Sequence, residues 1–248
     1  MSAAWTIAKR EIRSYFTSPI AYVVLLAWVF VTGLSFYTLV FWFAGRPSTG
    51  GSDNPLTLFF GGTVLFWLPL LVFAPVMTMR LFAAERAAGT LEPLMTAPVS
   101  ELGIVAGKYL AANVFWWVLW LPTLLYVWII SRYGDVDLGT VASSYLGVVG
   151  IGLFYMAWGM LMSALAPNQI VAAVLTFLVL GLFFVAGIMQ FVAIDTSREV
   201  LAYISVWSHM ADFSRGVVDS RYLLFDVTMS GLAFFLTVRV LAWRRVAG

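Results

Sequence analysis

Long apolar stretches separated by short polar patches set the pattern of this chain. No charged residue falls between Arg13 and Arg46, Asp53 and Arg80, Lys108 and Arg132, or Asp137 and Asp195, intervals of 32, 26, 23 and 57 residues. About 20 apolar helical residues cross a hydrocarbon core of roughly 30 Å. The first three intervals therefore hold one span each. The fourth holds two, divided at Ala166-Pro167-Asn168-Gln169, its only turn chemistry. A sixth span runs from about Tyr222 to Trp243, with Asp226 and Arg239 read as lying within a turn or so of its ends. Apolar runs of this length fit helices rather than the roughly ten-residue strands of a barrel. The expected fold class is an all-α polytopic membrane protein: six transmembrane helices in one domain over residues 1–248.

Polar positions between the runs add the remaining elements. Trp5, Ala8, Ile12 and Phe16 make an apolar stripe on a helix over about 4–17, whose other faces carry Lys9, Arg10 and Arg13. Such a helix lies flat in the headgroup layer with its bases toward anionic lipid. Ser18 offers an N-cap and Pro19 a first helical turn, so span one starts there. Span two, from about Pro55 to Met79, is expected to kink at Pro69 and Pro75. In span three Trp116, Trp117 and Trp120 sit deep enough to pack between helices. Ser143 with Gly147, and Gly159 with Ser163, place small residues four apart in span four, a pattern that suits close helix approach and a dimer face. The outer segment, about 193–222, reads as two short surface helices.

Composition agrees and excludes. The chain is 62% hydrophobic and 10% charged, with a mean hydropathy of +0.95, which no soluble domain of this size shows. It has no cysteine and one histidine, His209, so thiol chemistry and a histidine metal or catalytic constellation fall away. His209 is read as hydrogen-bonded near Asp212. The basic residues form no nucleic-acid stripe. No charge is expected deep inside a span, which removes the usual support for proton- or ion-coupled carriage. Gly103 to Tyr109 resembles a phosphate-binding loop only superficially: it is one residue short, lacks the Ser or Thr for magnesium and follows no strand.

Charge also orients the chain. With six spans and both termini on one side, that side holds nine basic and four acidic residues, and the other five and eight. Positive charge marks cytoplasmic loops, so both termini are expected in the cytoplasm. The segment of about 80–107 is then the largest inner loop. A helix over Arg80–Ala88 is expected to continue out of span two and end at Gly89. Thr90 caps a short helix with Leu91, Leu94 and Met95 on one face, Glu92 and Thr96 elsewhere, and Pro98 as its stop. Ser100 caps the next. The outcome is a knob whose apolar face suits a groove on another protein.

Three motifs carry a family likeness. Glu85-Arg86-x-x-Gly89-Thr90-Leu91-Glu92-x-Leu94 before Pro98-Val99-Ser100 resembles the coupling segment of ABC transporter permeases of the type-2 exporter class. Glu11-x-x-x-Tyr15-Phe16-x-Ser18-Pro19-Ile20-Ala21-Tyr22 resembles the same class in its GldF-like, gliding-motility subfamily, and His209-x-x-x-Phe213-x-x-Gly216-Val217-x-Asp219-x-Arg221 resembles its outer segment. The resemblance implies an exporter permease of the bacterial inner membrane, not itself an enzyme, with residues 5–17 as an elbow helix at the membrane surface. It implies a dimer of cytoplasmic ABC ATPase subunits that binds the ATP and magnesium, and a second permease copy or paralogue. Glu85, Arg86, Gly89, Thr90, Leu91, Glu92, Leu94, Met95 and Pro98 would engage the ATPase cleft. A membrane anchor that passes ATPase motion to another envelope protein would use the same knob, and an ATP-independent channel would need none.

Overall fold

The computed structural model describes residues 3–44, 55–90, 99–194 and 196–247, and every regular element among them is helical. The amphipathic helix α1 (Ala3–Thr17) is followed, after Ser18 alone, by α2 (Pro19–Ala44). The second apolar run is broken. A helical turn at Pro55–Thr57 and a π-helical turn at Leu58–Gly62 meet α3 (Val64–Thr78) at 41°. Gly61 takes φ +104°, a conformation that suits glycine, and Met210 packs where its Cβ would stand. Thr63 is extended, and Trp67 Nε1 donates to the Gly61 carbonyl at 3.1 Å, tying the break to α3. The bend therefore falls upstream of the prolines, and α3 continues through both Pro69 and Pro75.

A short helix, α4 (Ala83–Ala87), precedes α5 (Glu101–Trp120), which Ser100 caps by accepting from the Gly103 amide. A 3-10 turn at Leu121–Thr123 links α5 to α6 (Leu124–Ser131). Asp137 caps α7 (Leu138–Leu165), and Asn168 caps α8 (Gln169–Met189). The Ala166–Asn168 turn thus divides the long fourth interval where its turn chemistry lies. The segment after α8 forms α9 (Thr196–Ile204) and α10 (Val206–Phe213), and α11 (Ser220–Ala247) ends the described chain.

Five helical stretches among the described residues are long and apolar enough to cross a membrane: Pro19–Ala44, Glu101–Ser131, Leu138–Leu165, Gln169–Met189 and Ser220–Arg245. Counted as one span, the bent pair makes a sixth. The helix α7 is the axis of the bundle. Of its most apolar window 78% is buried within the chain, against 22–28% for the other four. Small residues make that enclosure possible: Gly152 lies under the Trp116 indole, whose Nε1 donates to the Val148 carbonyl at 3.1 Å. Trp116 and Trp120 are buried among helices, whereas Trp117 is exposed.

The four small residues expected at a dimer face are spent inside the chain instead. Ser143 donates to the Phe213 carbonyl at 2.6 Å, and Gly147 receives Met210 and Phe213. Gly159 lies against Thr78, and Ser163 holds the chain between α3 and α4. Their spacing permits close approach, and the helices that approach are this chain's own.

Candidate functional site

One end of the bundle gathers α1, the chain from α3 to Thr90, the start of α5, the C-terminus of α7 and the last turn of α11. Arg245 Nη1 reaches Glu101 Oε1 at 2.6 Å, and Arg244 Nη2 donates to the Leu165 carbonyl at 3.3 Å. Here α1 lies along α5. Gly107 gives it room, since a Cβ there would stand 2.8 Å from the Ala4 carbonyl oxygen and from Ile7. Ile7 and Ala8 are buried, Ile12 and Phe16 half-buried, while Trp5, Lys9, Arg10 and Arg13 face outward. The face of α1 turned to the bundle thus runs through Ile7, Ala8, Glu11 and Tyr15, a rotation away from the stripe read through Trp5.

Glu11 explains the rotation. Lys108, 1% exposed on α5, places its Nζ 3.1 Å from Glu11 Oε1 and 2.8 Å from Glu85 Oε1. A buried ammonium is tolerated only where acceptors compensate it, and here two carboxylates from two other elements do so. Arg10 joins the rim, 3.2 Å from Glu11 and 3.8 Å from Glu85. Tyr15 stacks on Phe115 at 4.9 Å and donates to the Met77 carbonyl at 3.2 Å. Burial, with the Glu11 charge behind it, pushes its hydroxyl above the ordinary phenol range. Arg10, Glu11, Ser14, Tyr15, Arg80 and Lys108 help line a cavity of about 310 Å³ between α1 and α4.

The segment between α3 and Thr90 is fastened at several points. A turn at Met79–Phe82 separates α3 from α4, so the helix expected over Arg80–Ala88 is not continuous. Ser163 on α7 accepts from the Phe82 and Ala83 amides at 3.1 Å each and donates to the Met79 carbonyl at 3.0 Å. Arg86 donates to the carbonyls of Ala164 and Ala166, placing a cation at the C-terminus of α7 where helix carbonyls lack partners. Gly89 ends α4 with φ +67°, and the Thr90 amide donates to the Glu85 carbonyl at 2.9 Å. Leu91, Glu92, Leu94, Met95 and Pro98 lie outside the described residues. Glu85, Arg86, Gly89 and Thr90 are thus brought together, and the sequence reading missed their partners Lys108, Glu11 and Ser163.

A second buried polar pair lies toward the opposite end. His209 on α10 meets not Asp212 but Asp226 on α11, with Nδ1 3.3 Å from Oδ1 and both side chains 1% exposed. Asp226 is therefore enclosed rather than reaching for the surface. Enclosed against Gly150 of α7, it departs from the expectation that no charge lies deep inside a span, whereas Lys108 is buried where span three was expected to begin. His209 missed its partner because Asp212 is three residues away in the sequence and Asp226 is seventeen.

Described residues that are helical in every regular element, with five to six apolar spans and an amphipathic helix at one end, define a multi-pass membrane protein. A family model described as ABC-2 family transporter protein matches residues 5–209, and the chain belongs to that family. It is accordingly the membrane-embedded permease subunit of an ABC transporter, a class that works with an ABC ATPase. No curated protein matches the chain. The likeness to the gliding-motility subfamily rests on the sequence motifs alone.

Proposed function

We propose that this chain is an exporter permease in which the buried Lys108–Glu11–Glu85 cluster carries the stroke of a separate ABC ATPase into the helix bundle. The observation behind this reading is that one ammonium joins three elements, α1, α5 and α4. Residues 91–98, engaging the ATPase, move α4 from one side and α5 from the other. Ser163 and Arg86 pass the motion to α7, and Glu11 passes it to α1. A ligand-driven change needs a contact that differs between the two states, and the knob supplies it. Two permease units, identical or paralogous, with two ATPase subunits complete the transporter. The termini face the cytoplasm, α1 lies at the surface of the bacterial inner membrane, and the cargo leaves toward the outer side. ATP and magnesium are held by the ATPase.

The chain has no native cysteine, so Leu94→Cys gives a single crosslinking position. In cells making the whole operon, a maleimide-linked photocrosslinker at Leu94 should capture an ABC ATPase. Adducts with phospholipid only would overturn the reading. Glu85→Lys should leave the complex assembled and its ATP hydrolysis active, while abolishing the ATP-driven movement between α1 and α7 measured by paired spin labels. Unchanged movement would remove the cluster from the coupling path.

A further inference from the structure

His209 and Asp226 face each other with one hydrogen too few. His209 Nε2 lies 2.9 Å from the Tyr203 carbonyl oxygen, which only accepts, so Nε2 carries a hydrogen. In a neutral imidazole this leaves Nδ1 as a bare lone pair. That lone pair points at a carboxylate 3.3 Å away, in a site where neither side chain is more than 1% exposed. Nδ1 and both carboxylate oxygens have no hydrogen-bond partner in the structure. No basic side chain among the described residues other than His209 comes within ion-pair distance of Asp226. A buried, uncompensated carboxylate against a lone pair is strongly unfavourable. A single proton between the two removes both costs, whether it rests on nitrogen or oxygen.

The surroundings hold the pair dry. Tyr222 stacks on the imidazole with centroids 4.3 Å apart, and Phe225 meets its edge at 5.3 Å. Asp226 Oδ2 sits over Gly150 of α7, where a Cβ would come within 2.7 Å. Gly150 is about 18 Å along α7 from its first residue at 1.5 Å per residue, well below the bundle end. The titratable neighbours are the phenols Tyr155 on α7, Tyr203 on α9 and Tyr222 on α11, with Asp219 acting on His209 and Asp212 on Tyr222 from the loop side, and the exposed Arg221, whose guanidinium is already paired with Asp219 at 2.7 Å. None of these supplies a compensating positive charge.

We propose that His209 and Asp226 form a membrane-embedded proton-binding site that holds one exchangeable proton while α10 is seated on α11. The site makes the seating of α10 depend on pH at both extremes. In alkali the separated groups bind no proton and the seated pair binds one, so rising pH favours separation. In acid the separated groups bind two, so falling pH favours separation as well. Seating is firmest between these limits. The inference is independent of how the ATPase engages the other end.

His209 is the only histidine, so protein labelled with 15N-histidine gives one imidazole to observe in lipid nanodiscs, purified without a histidine tag. At pH 7 the wild-type Nδ1 should show either a bound proton or a strong hydrogen bond from a carboxylic acid. In the second case an infrared acid band should vanish in Asp226→Asn. A bare Nδ1 beside an ionised carboxylate would overturn the proposal, and this readout needs no variant. Asp226→Asn keeps a donor toward Nδ1 but does not titrate. Hydrogen exchange in residues 206–213, corrected for intrinsic rates, should rise at least tenfold from pH 7 to 9.5 in the wild type and stay flat in Asp226→Asn. Equal pH dependence in both would also overturn it.

Discussion

At the end carrying α1 and α4, Lys108 is buried while the side chains of its partners Glu11 and Glu85 are 16% and 19% exposed, although Glu85 Oε2 itself is enclosed. At the other end His209 and Asp226 are sealed together at 1% each. The first cluster balances its ammonium with two acids and a rim arginine, and it joins three elements. The second balances one acid with one proton and joins two. A charge cluster with one wet side can shift and re-pair as helices move, because water takes up what is momentarily unmatched. A dry pair has no such reserve, so its separation has to be accompanied by proton exchange. The difference assigns movable coupling to the α1 end and a protonation-dependent closure to the far end.

Removing Lys108 tests the wet cluster most severely. Lys108→Ala leaves Glu11 and Glu85 facing each other with only the exposed Arg10 at their rim, and should lower stability by about 3–5 kcal/mol in denaturant unfolding of the micelle-bound protein. A far smaller loss would show that water screens the acids so well that the cluster holds nothing. Gly150→Ala strikes the dry pair from α7, driving a methyl into Asp226. Overpacking of this kind costs about 1–3 kcal/mol, and the single imidazole signal should shift, while one on Lys108's side of the bundle is not expected to move the histidine at all. Ser163→Ala should cost about 1–2 kcal/mol, because two buried amides, Phe82 and Ala83, lose their acceptor. Hydrogen exchange should speed up at those two amides first. Arg245→Ala breaks only an exposed pair with Glu101 and should change stability by less than about 1 kcal/mol. If it rivals Lys108→Ala, exposure is not what separates strong from weak pairs here.

The spans were legible because charge-free runs are a local property, and lipid forbids unpaired charge wherever a helix meets it. The turn at Ala166–Asn168 was equally plain, since asparagine after proline both stops and caps. The break at Gly61–Thr63 was not, because two prolines downstream drew the kink to themselves and Met210, which fills the space beside Gly61, arrives 149 residues later. Glu11 and Lys108 are 97 residues apart, and nothing local says that they meet. A carboxylate four residues from Ile7 and four from Tyr15, on the same helix face, was the available signal. Asp226 was misread for a related cause: nearness to a helix end was taken for nearness to water, but α9 and α10 fold over that end. Ser143, Gly147, Gly159 and Ser163 correctly announced close packing without naming the partner.

The enclosure of α7 has a consequence for how the chain is made. Its inward faces are rich in glycine and serine and are covered by α8 and α11, which leave the ribosome after it. A newly inserted α7 therefore meets lipid with surfaces meant for neighbours not yet synthesised. Until α10 and α11 arrive, the grooves at Gly147 and Gly150 and the hydroxyl of Ser143 stand open to acyl chains, and a nascent chain halted after Leu165 is the form most in need of a chaperone within the bilayer.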